Sequence, residues 1–412
     1  MEDEYMKILI VNKFLYRRGG AESYILDLAG ELLKQGHEVQ FFGMHDQHNE
    51  VGNRAGAYTS NVDFHEKRLS AVLYPFKIIY SIEARNKIRA VIEDFNPDII
   101  HLNNINFQIT PSIIDEIRKY GIPIVQTVHD FQMVCPNHLL FNPNTNKICS
   151  KCILHSKWNC TKNKCIHKSY LKSLIGSVEA SLYNAKQTYA GIDAFICPSH
   201  FMENTLLKDP IFHGKTTFLR NFSKECSSHQ YDKKNYILYF GRLYEEKGIR
   251  NLVLAAKELK DIHFIVAGEG PLSYLCQDIP NLKFVGFKTG NELEQLIAEA
   301  RLCVYPSIWL ENCPLSIIEA QKLGTPVITS PIGGMKELVP KQLLTKSVTA
   351  QSLAESIASI YKDERLLQEM TIRSKEKALE YPSLPDYAEQ IVAIYERNIN
   401  KYVKSKRNRT CL

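Results

Sequence analysis

Short apolar runs of four or five residues recur along the chain. Each is closed by a glycine- or proline-bearing loop and followed by a stretch with apolar positions three and four apart. Residues 7–11, KILIV, read as a buried parallel strand that runs into a polar loop and Gly19-Gly20. Tyr24, Leu28 and Leu32 then keep helical spacing until Gly36-His37, and 39–42 is the next strand. The alternation continues with a helix over 78–95, a strand over 97–101, a helix over 112–119 and a strand over 123–127. That last strand leads into Val128-His129-Asp130. Residues 193–197 and 216–219 are further strands, and the polar, aperiodic stretch 221–234 reads as a linker. A second alternating set follows, with strands at 236–240, 263–267, 282–285, 302–305 and 326–329. Helices are expected over 249–259, 293–300, 353–361, 366–381 and 388–402. Strand-helix alternation in two sets predicts an α/β chain of two doubly wound, Rossmann-like domains. Their bounds are 1–220, 221–385 and a terminal helix with a basic tail over 386–412.

Candidate chemistry concentrates in residues 305–320, YPSIWLENCPLSIIEA. Pro314 stands where proline opens a helix without costing a backbone bond, and Ile317, Ile318 and Leu323 turn that helix inward. Glu311 precedes the helix and Glu319 lies inside it. The N–H groups and positive dipole end between them suit a phosphate, with a carboxylate on either side for hydroxyls. A sugar nucleotide has that shape; two solvated surface acids would look the same in isolation. Gly19-Gly20 allows close approach to a ligand or is a plain turn. His129-Asp130, at the carboxyl edge of the sheet, reads as a functional pair or as a satisfied buried histidine.

Composition narrows the classes. The 412 residues suffice for two cores, and 44% apolar with 23% charged residues is a globular balance. A net charge of +6 does not by itself call for nucleic acid. No apolar run is long enough to span a bilayer, the N-terminus is acidic where a signal peptide is basic, and eleven cysteines fit a reducing compartment. A cytoplasmic chain is expected. Within an insert over 135–167, Cys149, Cys152, Cys160 and Cys165 have spacing that a tetrahedral structural zinc could use, or are unlinked surface thiols. Residues 147–186 hold eight lysines and one acid. There Leu171, Leu174, Ile175, Val178 and Leu182 share a helical face, with Lys168, Lys172 and Lys186 away from it. That helix either lies on an anionic membrane or packs on its own domain.

One group of motifs carries a family resemblance. Gly241-Arg242, Lys247-Gly248, the Glu311/Glu319 pair and Gly333-Gly334 with Glu337 occur in order, after Gly-Gly-Ala-Glu at 19–22 and His129-Asp130. The chain resembles the family-4 retaining glycosyltransferases of GT-B fold from residue 7 to about residue 395. The resemblance implies two domains facing a cleft, with the last helix returning toward the first. It implies a hexose-type transfer from a UDP- or GDP-linked donor to a saccharide, in the surface-polysaccharide branch to a lipid-linked one. Arg242 and Lys247 would clamp the diphosphate, so no metal or other cofactor is required for catalysis. Glu311 would bind donor sugar hydroxyls, backbone N–H groups of Pro314-Leu315-Ser316 would frame the phosphate, and Glu319 would hold the ribose. His129 would stand beside the sugar, and Gly19-Gly20 would admit phosphate and acceptor. Where many relatives have Gly-Phe-Gly, this chain has Asn312-Cys313-Pro314, as in the polysaccharide branch. Competing readings are another GT-B enzyme, an epimerase or phosphorylase, and a zinc-bearing nucleic-acid binder. Two complete α/β halves count against the last, and no nucleic-acid partner is expected.

Overall fold

The computed structural model describes residues 5–61, 74–224 and 231–410. Part of the expected linker, residues 225–230, and residues 411–412 of the tail lie outside that description. The chain forms two compact units. The first takes residues 1–198, 202–219 and 384–412, and the second takes 199–201 and 220–383.

The first unit is built on β1 (Lys7–Val11), β2 (Glu38–Phe42), β3 (Ile99–Leu102), β4 (Ile124–Thr127), β7 (Ala194–Cys197) and β8 (Thr216–Phe218). A two-stranded hairpin, β5 (Phe141–Asn142) with β6 (Lys147–Ile148), belongs to the insert and was not anticipated. The main strands pair in parallel in the order β2-β1-β3-β4-β7-β8. Ile8 to Val11 and Ile99, Ile100 and Leu102 are wholly buried, as covering both faces of a parallel sheet requires. The expected helix over 78–95 is two helices, Tyr74–Ile79 and Ile82–Phe95. The break falls at Ser81, whose side chain caps the Ala84 N–H, an alternative that serine offers the backbone.

The second unit uses β9 (Lys234–Phe240), β10 (Phe264–Ala267), β11 (Leu282–Gly286), β12 (Ala300–Tyr305) and β13 (Val327–Thr329). They run parallel in the order β11-β10-β9-β12-β13. Strand order therefore reverses between β9 and β12, with Leu238 opposite Cys303. In the first unit it reverses between β1 and β3, with Val11 opposite Leu102. The connections leave each sheet in opposite directions at these points, which opens a crevice beyond the carboxyl ends of the strands.

The last helix, Leu384–Thr410, is longer than the expected 388–402 and packs against the helix Gly20–Lys34 of the first unit. The basic tail continues this helix to Thr410. Tyr395 and Tyr387 anchor it. The Tyr395 hydroxyl lies 2.6 Å from His101 Nδ1, whose other ring nitrogen is 2.8 Å from Thr127 Oγ1. Tyr24 joins Thr127 at 3.0 Å and Tyr387 at 2.9 Å. All five side chains are buried, so each polar atom depends on the others for a partner.

Burial lowers the His101 pKa from 6.5 to about 3. The unfolded chain then takes up a proton near pH 6.5 that the native state refuses. Stability should be full above about pH 6.5 and fall by up to about 1.4 kcal/mol per pH unit below it, levelling near pH 3. Urea titrations between neutral pH and about pH 4.5 should show at least this slope, and His101→Gln should lower it by up to about 1.4 kcal/mol per pH unit.

Candidate active site

In the second unit the loops after β9 and β12 meet at the reversal of strand order. Lys247 follows β9 and extends its ammonium under the next loop, 2.9 Å from the Tyr305 hydroxyl and 2.6 Å from Glu311 Oε1. Both charged side chains are largely enclosed, Lys247 13% and Glu311 19% exposed. Ser307 Oγ lies 3.1 Å from the same Glu311 oxygen and 2.9 Å from the Glu246 carbonyl, acceptors that share its one proton. Burial opposes the charge on Lys247, but Glu311 and Tyr305 outweigh it and hold the ammonium above its usual range. Burial, followed by Glu311, raises the Tyr305 phenol.

Glycine makes this convergence feasible. Gly248 has φ +75° and a Cβ there would stand 1.9 Å from the Pro306 carbonyl oxygen. At Gly333, φ +61°, a Cβ would reach within 2.4 Å of the Glu311 carbonyl, which also accepts the Gly334 N–H at 2.8 Å. Three loops are thus stacked backbone on backbone. The helix Leu315–Lys322 starts directly after Pro314, and its Ile317 N–H closes on the Pro314 carbonyl at 3.1 Å. The amides of Leu315 and Ser316 precede any intrahelical acceptor. Glu319 is half-buried in the second turn of this helix. Arg242 is 56% exposed, its guanidinium 5.3 Å from the Tyr244 ring and 4.0 Å from Glu246. The structure therefore gathers Lys247, Glu311, Pro314, Leu315, Ser316 and Glu319 on two adjoining loops and one helix.

The first unit has its own polar cluster where its strand order reverses. The loop after β1 is tied to the loop after β3 by Lys13 N–H to the Asn104 carbonyl, 2.8 Å, and by Asn104 N–H to Asn12 Oδ1, 3.0 Å. His129 Nε2 lies 2.8 Å from Asn103 Oδ1, an acceptor that makes Nε2 the protonated nitrogen, and its ring meets Tyr24 edge-on at 5.1 Å. Burial lowers its pKa to about 4, so the ring is neutral at physiological pH. His129 and Asp130 do not form a pair. Asp130 instead accepts the Gln132 N–H at 2.8 Å and Asn106 Nδ2 at 3.2 Å. Lys13 reaches Asn106 at 3.1 Å, and His138 stacks on Phe107 with centroids 5.0 Å apart. Reading the sequence missed Lys13, Asn103, Asn106 and His138. The available signal for the first three was position, since they follow β1 and β3 directly. Gly19-Gly20 opens the helix Gly20–Lys34, but Gly19 is extended at φ −166° and needs no glycine on conformational grounds.

Residues 18–222 match the family described as Glycosyltransferase Family 4, and residues 223–377 match Glycosyl transferases group 1. The chain is a family-4 glycosyltransferase. A protein of the cps region of Klebsiella pneumoniae is 26% identical over 81% of this chain and 87% of its own length. A diacetylbacillosaminyl-diphospho-undecaprenol N-acetylgalactosaminyltransferase of Campylobacter jejuni is 24% identical over 57% of this chain and 68% of its own. The structure of Anabaena HepE in complex with UDP-glucose superposes with TM-score 0.65 at 18% identity, covering 95% of this chain and all of that one. The fold is GT-B, with the two Rossmann-like sheets described above. As a member of this family the enzyme is a retaining transferase that takes its sugar from a nucleotide-sugar.

Elsewhere in the glycosyltransferase, Cys149, Cys152, Cys160 and Cys165 all line one small pocket of the insert, joined by Cys135. Among the described residues no group of three or more histidine, cysteine or carboxylate side chains is already gathered as metal ligands. In the helix Tyr170–Ala185 the expected apolar face is only partly covered, with Leu174, Ile175 and Leu182 half-buried. Ser173, Gly176, Ser177, Glu179 and Tyr183 face inward, while Leu171 is 62% and Val178 36% exposed. Gly176 decides this, because its missing side chain leaves room for Ile166. Lys186 is not available to a distant anion, being bonded to Asp115 at 2.9 Å. Among the described residues no helix is long and apolar enough to cross a membrane.

Removing Lys247 alone strands Glu311 in a largely enclosed site. Lys247→Met should therefore cost about 3 kcal/mol of stability. Adding Glu311→Gln should return much of that loss without restoring transfer, and denaturant unfolding of the two single variants and the double variant measures the coupling.

Proposed function

We propose that the enzyme moves a hexose-type sugar from UDP- or GDP-sugar to a lipid-linked saccharide during cell-surface polysaccharide synthesis, with no metal in the chemical step. The observation that carries this is the Lys247 ammonium at the reversal of strand order. It holds Tyr305 and Glu311 with two of its three N–H donors, which leaves a third direction for a phosphate oxygen. Arg242, exposed beside it, is the second cation for the leaving diphosphate, and the helix N-terminus at Pro314-Leu315-Ser316 supplies N–H groups.

As bond breaking builds positive charge on the sugar, Glu311 sits close to that charge through the sugar hydroxyls it binds. Glu319 takes the ribose. His129, neutral with its Nε2–H committed to Asn103, offers the sugar a lone pair at Nδ1. Gly19-Gly20 keeps side chains away from the approach of phosphate and acceptor. Nothing in the cluster is placed as a nucleophile, which favours attack from the face that the diphosphate leaves, with the departing oxygen taking the acceptor proton. The UDP-glucose in HepE supports the donor class, and the diphospho-undecaprenol substrate in the name of the Campylobacter relative supports a lipid-linked acceptor. The cps context of the Klebsiella relative supports the polysaccharide role.

We place the enzyme in the cytoplasm, working on the inner face of the membrane. Ile148, Leu154, Trp158, Tyr170, Leu171 and Val178 are all exposed within a stretch rich in lysine. Apolar and aromatic side chains among cations are what an anionic lipid surface attracts.

Nucleotide release from UDP- and GDP-hexoses, with an undecaprenyl-diphosphate saccharide as acceptor, tests the transfer. It should proceed without magnesium, and Glu311→Gln should lower kcat by about 10²-fold or more while the fold is kept. Epimerised nucleotide-sugar, or a reaction that needs inorganic phosphate, would assign a different GT-B chemistry. For the surface, co-sedimentation with phosphatidylglycerol vesicles should be strong at low salt and lost at about 0.5 M salt. Lys168→Glu with Lys172→Glu should weaken it, and Lys186→Glu should matter less because of Asp115. Sedimentation indifferent to salt and to these changes would remove the membrane from the proposal.

A further inference from the structure

The insert between β4 and β7 has little to hold it together. Across residues 135–167 the buried apolar side chains are Leu140, Phe141, Ile153 and three cysteines, Cys135, Cys152 and Cys160. Its regular structure is the two-residue hairpin strands β5 and β6 and one four-residue helix, Asn159–Lys162. A segment this size with so small a core needs a cross-link, usually a disulfide or a metal.

The thiols are where a cross-link would have to be. Cys149 leaves the hairpin with its N–H on the Leu140 carbonyl at 2.7 Å, and Cys165 bonds back to the Cys160 carbonyl at 3.1 Å. All four thiols line a single pocket. Cys135, the fifth, is engaged differently, donating its S–H to Asn137 Oδ1 at 2.8 Å.

Beside the pocket is Lys157, buried, its ammonium on the carbonyls of Cys152 at 2.7 Å and Val134 at 3.3 Å, with no ion pair to a carboxylate among the described residues. A buried cation lacking a counter-charge is costly. Four thiolates around a divalent ion carry a net charge of minus two, and would supply what Lys157 lacks.

We propose that Cys149, Cys152, Cys160 and Cys165 bind one zinc ion as a structural tetrathiolate site, with Lys157 balancing its charge and Cys135 outside the ligand set. Because the thiols border the same space, rotation about χ1 is the change that turns their sulfurs inward to zinc distance. Binding exchanges four S–H protons for four Zn–S bonds, with no change of oxidation state. The clip would fix the loop that leaves His129 and Asp130, so it stabilises the fold and takes no part in the reaction.

The test uses the whole chain, purified without chelator and with reducing agent. Elemental analysis should find about one zinc per chain. Cobalt exchanged into the site should show thiolate charge-transfer and tetrahedral d–d absorption. Stripping the metal should lower the melting temperature and expose residues 140–165 to protease. Cys152→Ser and the half-exposed Cys149→Ser should lose the zinc, while Cys135→Ser and the remote Cys276→Ser should keep it. If the cysteine variants fail to fold, mercurial titration of the native protein still decides, since zinc should leave as four thiols react. Metal-free protein with the same melting temperature in chelator overturns the proposal. So does iron with sulfide in place of zinc, or a Cys160–Cys165 disulfide in the native chain.

Discussion

An ammonium and a carboxylate 2.6 Å apart, both largely out of water, set the terms for the second unit. Neither charge is tolerable there without the other, so the loops that carry Lys247 and Glu311 cannot drift apart independently. The need to bring them together explains the glycine at 248, which lets one loop pass under Pro306, and the glycine at 333, which lets another rest on the Glu311 carbonyl. Ser307, tied to Glu246 and to Glu311, then fixes the carboxylate orientation. A positive group held in place before substrate arrives needs no reorganisation when charge develops on a leaving group, and this is the main electrostatic asset of such a site.

The first unit repeats the topological device with different chemistry. Its strand order reverses between β1 and β3, and there it assembles neutral and weakly charged groups: Asn12, Asn103, Asn106, a neutral His129, and Lys13, whose pKa burial lowers. This crevice is thus lined largely by amides and a neutral imidazole, whereas the second unit's holds the Lys247–Glu311 ion pair with Arg242 exposed nearby. Polar pairing also fastens the terminal helix, since Tyr387 and Tyr395 find their partners in Tyr24 of the helix Gly20–Lys34 and His101 of β3.

The insert departs from the logic of both sheets. It keeps cysteines at the centre where the sheets keep isoleucine and valine, and it leaves Leu171 and Val178 in water because a face of serine and glycine is what lies flat against the neighbouring segment. Thiols buried without a large apolar core are a poor source of stability by themselves, and this is the physical ground for assigning them a metal.

By itself the sequence determined the two doubly wound sheets, because a strand buried on both faces must be a continuous apolar run and each run here is closed by a turn residue. It also carried the ordered motifs of the second unit, since close-packed turns such as those at Gly248 and Gly333 need a glycine at a fixed place in the chain. Only the tertiary structure decided that Lys247 is paired with Glu311, 64 positions away, or that His129 has Asn103 and not Asp130 as its partner. It alone left Leu171 and Val178 of the helix Tyr170–Ala185 exposed and bonded Lys186 to Asp115. Local periodicity reports which residues share a face. It does not report what that face meets, because the partner is supplied by remote segments that arrive only when the chain has closed on itself.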